Sequence, residues 1–214
     1  MTIKHLPGIL AMAAIVVVSN ILVQFLLLDG LLTWGAFTYP LAFLVTDVMN
    51  RVYGPGSARR VVVAGFVTGV VCSLIGSQVM LQGDGYEYAA VPLRVAVASG
   101  IAFLAAQLTD IAVFHRFRGG AWWRAPLVST LIGSALDTAL FFSIAFSASV
   151  TLFGANADAA INWAWGPAAF LLVGPEAPLW VSLAVADWLV KLAISLIALV
   201  PFRIIVGSLS TRTT

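Results

Sequence analysis

The stretch LWVSLAVADWLVKLAISLIALVPFRIIV, residues 179–206, decides the class of fold. It is apolar over more than the roughly 20 residues that a helix needs to cross about 30 Å of hydrocarbon. Asp187 and Lys191 lie inside it, and a charge at membrane depth costs roughly 2.5 to 3.5 kcal/mol even on the mildest scales. The stretch therefore predicts a transmembrane helix whose charges face a cavity, a partner or a substrate.

The composition extends this prediction to the whole chain. Hydrophobic residues make up 61% and charged residues 9% of the 214 residues, and the mean hydropathy is +1.03. Soluble domains carry about 25% charged residues. We expect an all-α, polytopic membrane protein whose residues 1–214 form a single domain within a lipid bilayer. Six spans are predicted: Pro7 to Leu28, Trp34 to Val52, Ala58 to Leu81, Pro92 to Phe114, Pro126 to Phe153, and Leu179 to Val206.

The positions of the cations predict the orientation, because cytoplasmic loops accumulate Lys and Arg. One set of loops carries Lys4, Arg51, Arg59, Arg60, Arg116, Arg118, Arg124, Arg203 and Arg212. The other set carries Asp29, Asp84, Glu87, Asp158 and Glu176, with Arg94 as its one cation. Both termini are therefore predicted to be cytoplasmic. The segment from Asn162 to Pro178, which contains Trp163 and Trp165, is predicted to be an outer loop or an interfacial segment.

The second predicted span combines a helix breaker with polar residues. Pro40 removes a backbone hydrogen bond, and such a break is tolerated where the freed carbonyl meets protein or a cavity. Asp47 and Asn50 are three residues apart, so they share a helix face and can hold a polar ligand together. The alternative is that Asp47 pairs with Arg51, four residues further on, without any ligand.

The fifth predicted span places an acid deep in the membrane. Asp137 lies about 20 Å along the helix axis from Arg124, at 1.5 Å per residue. Ser134 and Phe141 lie on the same face, so an acid, a hydroxyl and an aromatic ring can converge there. The alternative is a structural acid that is hydrogen-bonded to a neighbouring helix.

The sixth predicted span leaves two interpretations of its charges open. Asp187 and Lys191 are four residues apart with the acid first, which is the better order for a helical ion pair. Lys191 can instead face the same cavity as Asp137. In the first span, Asn20 and Gln24 form a polar stripe that serves either interhelical contact or a ligand.

Several other functions have no support in the sequence. A phosphate-binding Gly-rich loop followed by Lys and Ser or Thr is absent, and His5, His115 and the single Cys72 have no metal-ligand spacing. The net charge of +2 is too small and too scattered for nucleic-acid binding. We therefore predict no enzyme activity, no cofactor, no metal and no direct nucleic-acid partner. A homodimer stays open, because Gly65 and Gly69 permit close helix contact.

Three segments carry a resemblance to a known family. They are TWGAFTYPLAFLVTDVMNRVYGPGSARR at residues 33–60, RAPLVSTLIGSALDTALFFSIAF at 124–146 and ADWLVKLAISLIALVPFR at 186–203. Together they resemble the queuosine precursor transporter family. The resemblance implies import of 7-cyano-7-deazaguanine, and of its aminomethyl relative, across the bacterial inner membrane for salvage into the tRNA base queuosine.

With that substrate in view, the polar residues acquire expected roles. A deazaguanine presents a 2-amino and N1–H edge, which one carboxylate accepts in bidentate fashion, and Asp137 is the first candidate. The ring is expected to stack on aromatic residues. Asp47 and Asn50 are expected to meet its other polar atoms, whereas Lys191 donates to the carbonyl or keeps an acid charged. The expected set is Asp137, Asp47, Asn50, Lys191, Ser134, Phe43, Phe141, Tyr39 and Asn20, with Asp187 and Pro40 in structural or coupling roles.

The transport mechanism has three interpretations at this stage. The first is alternating access around a midplane site, with the helix broken at Pro40 as a gate and with facilitated or weakly proton-coupled uptake. The second is a substrate-capturing subunit of an energy-coupling-factor transporter, which would bind a small heterocycle or vitamin. The third is a purely structural or assembly protein, which would bind no ligand.

Overall fold

The computed structural model describes residues 5–23, 25–28, 30–82 and 87–210. Several residues used in the arguments above lie outside this part of the chain: Lys4, Gln24, Asp29, Asp84 and Arg212. The polar stripe of Asn20 and Gln24 is therefore described only at Asn20.

The described chain is mostly helical. Its helices are α1 Leu6–Leu22, α2 Gly35–Thr38, α3 Leu41–Tyr53, α4 Pro55–Gly76, α5 Leu93–Phe117, α6 Arg124–Phe146, α7 Ala155–Ala159 and α8 Leu179–Ser210. By length and composition, α4, α5, α6 and α8 are able to cross a membrane, and α1 is a shorter apolar helix. The predicted class, an all-α membrane protein, agrees with this architecture. Two of the six predicted spans, the first and the second, are not supported by helix length.

The second predicted span is broken at the expected place. Helix α2 ends at Thr38 and α3 begins at Leu41, so Tyr39 and Pro40 separate the two helices, although both keep right-handed helical dihedrals. The 13 residues of α3 cover about 20 Å at 1.5 Å per residue, which is less than the hydrocarbon thickness of about 30 Å. At its other end Gly54, with a φ of +83°, lets the chain turn directly into α4.

Three predicted spans were drawn too long at the end opposite the basic loops. Short antiparallel hairpins follow α1 and α4, namely β1 Leu26–Leu27 with β2 Leu32–Thr33 and β3 Met80–Gln82 with β4 Glu87–Ala89. Helix α1 therefore ends at Leu22 rather than Leu28, and α4 at Gly76 rather than Leu81. Helix α6 ends at Phe146 rather than Phe153. Apolar residues continue past each end, so periodicity alone could not locate these ends.

The basic segments meet at one end of the helix bundle. Arg51 at the end of α3 donates from Nη1 to the carbonyl oxygen of Arg118, 2.6 Å away, and Arg118 donates back to the carbonyl of Arg51. His5 lies 3.3 Å from the Nη1 atom of Arg60. The guanidinium of Arg203 stacks over the ring of Trp122. The start of α1, the α3–α4 turn, the α5–α6 loop and the last part of α8 thus share one end, and the three hairpins lie away from it.

The surface of the long helices is apolar. Leu196, Ile197, Val200 and Ile204 on α8 are each more than half exposed, as are Val63, Val67, Leu74 and Ile75 on α4. Single apolar residues are normal on a protein surface, but faces like these are typical of protein in contact with lipid. The bilayer is accordingly the environment that the surface fits.

The glycine pair of α4 has an intramolecular use. A methyl group at Gly65 would lie 2.6 Å from Met12 of α1 and 3.0 Å from Phe103 of α5. At Gly69 it would lie 3.6 Å from Val16 of α1. Both glycines therefore allow α1 to approach α4 within one chain, and this pattern gives no support to a homodimer.

The segment after α6 is compact and irregular, as predicted. It contains 3-10 turns at Asn162–Trp165 and Phe170–Leu172, together with a hairpin of β5 Pro167–Ala169 and β6 Glu176–Pro178. The indole Nε1 of Trp165 donates to the carbonyl of Phe146, 2.8 Å away, and thereby attaches this segment to the end of α6.

Candidate functional site

A cavity of about 370 Å³ lies between the helices and the hairpins of the non-basic end. Helices α1, α5, α6 and α8 supply most of its wall, with the first hairpin and the segment after α6 on the outer side. Pockets that hold small molecules measure roughly 300 to 1,000 Å³ and are mostly apolar with a few polar groups. The residues that carry its chemistry are Asn20, Tyr39, Ser99, Asp137, Phe141, Phe142, Phe146, Trp163, Asp187 and Lys191.

An ionic cluster forms one wall of the cavity. The Nζ atom of Lys191 lies 2.7 Å from Oδ2 of Asp137 and 2.6 Å from Oδ2 of Asp187. It also donates to Oγ1 of Thr138, 3.0 Å away. An ammonium group has three donors, so the protein itself uses all of them. With each group ionised, Asp137, Asp187 and Lys191 together carry a net charge of −1.

The two acids of this cluster differ in how much of their hydrogen-bonding capacity the protein uses. Oδ1 of Asp137 accepts from the hydroxyl of Tyr39 at 3.1 Å, and its Oδ2 faces Lys191. Oδ2 of Asp187 accepts from Thr138 and Lys191, whereas its Oδ1 has no hydrogen bond to any residue that the structure describes. The side chain of Asp187 is 16% exposed and that of Asp137 is 5%. Among the described residues, Asp187 is thus the cavity-lining acid that keeps one oxygen without a hydrogen bond from the protein.

Aromatic rings form another part of the wall. Phe141 packs edge-on against Phe142 at 5.1 Å between ring centroids and against Phe146 at 6.0 Å. Phe146 in turn contacts Trp163, with 5.8 Å between centroids. The Nζ atom of Lys191 lies over the face of the Tyr39 ring, 5.5 Å from its centroid. A planar ligand in this cavity would meet both aromatic surface and charged groups.

The structure brings together some of the predicted site residues and separates others. Asn20, Tyr39, Asp137, Phe141, Asp187 and Lys191 line the cavity. Asp47, Asn50, Phe43, Ser134 and Pro40 do not. Ser134 is fully buried and its hydroxyl donates to the carbonyl of Leu131. Phe43 lies under Gly133 of α6, where a methyl group would come within 2.9 Å of its ring.

Both interpretations of Lys191 hold together, because it pairs with Asp187 on its own helix and with Asp137 on α6. The alternative for Asp47 is wrong: Arg51 points to Arg118 and not to Asp47. Asp47 instead accepts from the hydroxyls of Ser129 and Thr130 on α6. Asn50 donates to the carbonyl of Ile111 on α5.

Asp110 is a buried acid that the sequence analysis did not single out. It lies on α5, is fully buried, and interacts with Asp47. Gln107, one turn earlier, accepts from the hydroxyl of Thr46 at 2.6 Å. The segment LTDIAVF, residues 108–114, places Asp110 among apolar residues, so the rule that flagged Asp137 also applies to it.

Arg94 has a structural use that charge patterning missed. Its side chain is fully buried, donates to the carbonyls of Ile144 and Ser147, and lies 2.6 Å from Asp158. It therefore ties the start of α5 to the end of α6 and to α7. Arg94, the one cation that the sequence places on the non-basic side, is therefore buried inside the protein. The difference in surface charge between the two ends is larger as a result.

Within residues 5–23, 25–28, 30–82 and 87–210, no group of three or more His, Cys, Asp or Glu side chains is arranged to hold a metal ion. The residues that line the cavity offer hydrogen bonds, charge and aromatic surface to a ligand. These groups suit the recognition of a flat, polar heterocycle. A helical membrane protein with such a cavity between its helices has the form of a small-molecule transporter.

The comparisons with known proteins identify the family. Residues 33–206 match the family model described as "Putative vitamin uptake transporter". The queuosine precursor transporter of Escherichia coli (strain K12) is 33% identical over 192 residues, covering 86% of this chain and 77% of the relative. The chain therefore belongs to the vitamin uptake transporter family that includes the queuosine precursor transporters.

Two further relatives agree. The probable queuosine precursor transporter of Haemophilus influenzae is 32% identical over 79% of this chain and 66% of its own length. That of Bacillus subtilis is 28% identical over 78% of this chain and 68% of its own length. No solved structure matches the chain significantly.

Proposed function

We propose that the protein imports the queuosine precursor 7-cyano-7-deazaguanine, and its aminomethyl relative, across the bacterial inner membrane. The observation that carries the proposal is the cavity that Asp137, Lys191 and Asp187 line together with aromatic rings. The names of the relatives support the choice of substrate. The protein acts as a transporter and not as an enzyme.

The base is recognised by its donor edge. The 2-amino and N1–H groups of a deazaguanine are two parallel donors, which require acceptors. Oδ1 of Asp187 is the acceptor that the protein leaves free, so we assign it the first contact with this edge. Asp137 has lone pairs left on both oxygens, so we assign it the second contact with the donor edge. Sequence reasoning alone had made it the first candidate for this contact.

Lys191 is the counter-ion of both acids. All three of its donors are used by Asp137, Asp187 and Thr138, so it does not need the carbonyl of the substrate as a partner. Without the lysine, two carboxylates would face one cavity without a counter-ion, and one of them would take up a proton. Lys191 thus preserves the acceptors that the donor edge requires.

The aromatic wall holds the plane of the base. Stacking of a base on an aromatic side chain is worth roughly 1 to 3 kcal/mol. Phe141, Phe142, Phe146 and Trp163 line the cavity, and Asn20 adds a polar group from α1. The substituent at position 7, a nitrile or an aminomethyl group, points away from the donor edge toward this part of the wall.

Transport follows an alternating-access cycle around this site. We propose that the chain crosses the membrane six times, with α1 as the first crossing and α2 with α3 as the second, and that both termini are cytoplasmic. The basic end described above supports this orientation, because Lys and Arg accumulate in cytoplasmic loops. The cavity then lies toward the outer side, and the break at Tyr39 and Pro40 is the candidate hinge.

Uptake by the purified protein tests the function. Proteoliposomes that contain this chain alone should take up labelled 7-cyano-7-deazaguanine, and unlabelled substrate should compete whereas adenine, which lacks the donor edge, should not. Binding without uptake would instead favour a capture subunit that relies on a separate energising complex. Absence of both binding and uptake would contradict the proposal.

A further inference from the structure

A second polar cluster lies buried between α3, α5 and α6, apart from the cavity. Asp47 is 2% exposed and Asp110 is fully buried. Oδ1 of Asp47 accepts from Ser129 at 3.2 Å, and its Oδ2 accepts from Thr130 at 3.3 Å. Asp110 packs against α6 at Gly133, where its Cβ is 3.3 Å from the position of an added methyl group. Two carboxyl groups thus meet inside the helix bundle.

The charges of this cluster do not balance. Asp47 has two hydroxyl donors, but neither oxygen of Asp110 has a hydrogen-bond partner among the described residues. Asp47 and Ser129 lie near enough to Asp110 to influence it electrostatically, and neither of them supplies a cation. Two ionised carboxylates side by side in a buried site repel each other, so such pairs hold one proton between them.

Among the described residues, the helices packed around the pair bring no cation to it: Arg94 of α5 is bonded to Asp158, Arg124 of α6 stacks over Phe117, and Arg203 of α8 stacks over Trp122. On α3, Arg51 is directed to Arg118, and on α8, Lys191 is occupied by Asp137, Asp187 and Thr138. On α4, Arg60 contacts His5 and Arg59 is exposed, and Cys72 is the remaining titratable group. On α5, His115 and Arg116 are exposed at the end of the helix. Helix α6 contributes hydroxyls here, and its Asp137 lies two turns further along.

Other buried groups in the same interface are also left without partners. Oδ1 of Asn50 and Nε2 of Gln107 have none among the residues that the structure describes, and both side chains are fully buried. Gln107 is one turn before Asp110 and is bonded to Thr46, the neighbour of Asp47. An adjoining void of about 10 Å³, lined by Asp47, Thr130 and Ser195, is about the size of one water molecule.

We propose that Asp47 and Asp110 form a proton-binding site that couples proton movement to transport. A single proton lies between the two carboxyl groups, bonded to an oxygen of Asp110 and donated to Asp47. On release, the Asp110 O–H bond breaks and the proton passes to water on the cytoplasmic side. The pair then carries one more negative charge.

A proton fits this site better than a sodium ion. The hydroxyl of Ser129 can donate to Asp47 or to the carbonyl of Pro126, and that of Thr130 donates to Asp47, so hydroxyl donors serve this carboxyl group without a cation. The small void also leaves no room for a hydrated cation.

The site acts at a distance from the substrate cavity. Thr130 and Asp137 are seven residues apart on α6, which is about 10 Å at 1.5 Å per residue. Both acids of the pair contact α6, and α6 also carries Asp137 and Phe141 of the cavity. A change of charge at the pair therefore acts on the helix that contributes to the substrate site. The coupling rests on the proposed function, but the proton site itself does not.

The proton site is tested without any substrate. Infrared difference spectra of the wild-type protein between acid and alkaline pH should show the C=O band of a protonated carboxyl group, and Asp110→Asn should remove that band. Glu176→Gln, the same chemical change at an exposed residue of β6, should leave it in place. A band that persists in both Asp110→Asn and Asp47→Asn would overturn the site.

The coupling is tested in proteoliposomes. If one proton accompanies each substrate, an outside that is one pH unit more acidic should drive about a tenfold accumulation. Asp110→Asn should equilibrate substrate without accumulating it and should bind it as the wild type does. If it fails to fold, Asp110→Ser replaces it. Accumulation that follows a sodium gradient, or that is unchanged in Asp110→Asn, would overturn the proposal; absence of wild-type substrate binding would instead contradict the proposed function.

Discussion

Two groups of buried charges, both packed against α6, differ in how their charge is balanced. In the cavity, Lys191 lies within 2.7 Å of both Asp137 and Asp187, and one acid keeps a free oxygen. Between α3, α5 and α6, Asp47 has two hydroxyl donors and Asp110 has no hydrogen-bond partner, and no cation among the described residues is paired with either acid. The first group is arranged to stay ionised and to offer acceptors to a ligand. The pair of Asp47 and Asp110 requires a proton to be stable. From this contrast we infer that the substrate binds in the cavity and the proton binds at the acid pair.

The largest expected effect comes from removing the cation of the cavity. Lys191→Met leaves Asp137 and Asp187 without a counter-ion, and breaking a buried ion pair in this way costs about 3–5 kcal/mol. We expect a large fall in the melting temperature in detergent and a loss of substrate binding. Arg203→Met removes an exposed cation from the same helix and should change the melting temperature little. Equal stability of the two variants would contradict the role given to Lys191.

A smaller effect is expected from crowding the helices around the acid pair. A methyl group at Gly133 would lie 2.9 Å from the ring of Phe43 and 3.3 Å from both the carbonyl of Ala106 and Cβ of Asp110. Gly133→Ala should therefore destabilise the protein by about 1–3 kcal/mol, as overpacking does.

Gly69→Ala is the matched control for that substitution, because its added methyl group meets Val16 at an ordinary 3.6 Å. It should be neutral or slightly stabilising, since alanine favours a helix by up to about 1 kcal/mol over glycine. The measurement is a comparison of the melting temperatures of the two variants. If Gly133→Ala were as stable as Gly69→Ala, α3, α5 and α6 would not pack as closely as the structure shows.

The smallest effect on stability is expected at Asp110. Asp110→Asn keeps the shape of the side chain and replaces the shared proton by an amide group that can donate to Asp47. The free energy of unfolding at neutral pH, followed through the melting temperature, should therefore change by no more than about 1 kcal/mol. The wild type should lose stability toward alkaline pH, when the pair loses its proton, and Asp110→Asn should lose less. A wild type and a variant with the same pH dependence would contradict the shared proton.

The sequence predicted those parts of the molecule that depend on local chemistry. Asp137, Asp187 and Lys191 are charges inside apolar segments, and the cost of such charges suffices to make each of them a candidate for a polar site, although the sequence left open whether Lys191 would pair with Asp187 or face the same cavity as Asp137. The break at Pro40 and the gathering of basic loops at one end follow from equally local rules. These expectations therefore needed no knowledge of how the helices pack.

The sequence did not predict which neighbours each polar residue would meet, because that depends on the rotation and spacing of packed helices. Asp47 shares a helix face with Asn50, yet that face meets α5 and α6 rather than the cavity. Ser134 precedes Asp137 by one turn but is covered by neighbouring helices. The phenylalanines of α6 line the cavity together with Trp163, which lies in the irregular segment after that helix. Only the tertiary structure shows that these rings share one cavity.

The central claim is that an acid of the cavity binds the donor edge of a deazaguanine, and the affinity of the Asp187→Asn variant tests it most directly. The dissociation constant of 7-cyano-7-deazaguanine should be measured calorimetrically for the wild type, Asp187→Asn and the exposed control Glu176→Gln. The account predicts at least about a tenfold weakening for Asp187→Asn, since a hydrogen bond to a charged group is worth roughly 1.5–3 kcal/mol, and no change for the control. Wild-type affinity in a folded Asp187→Asn protein would contradict it.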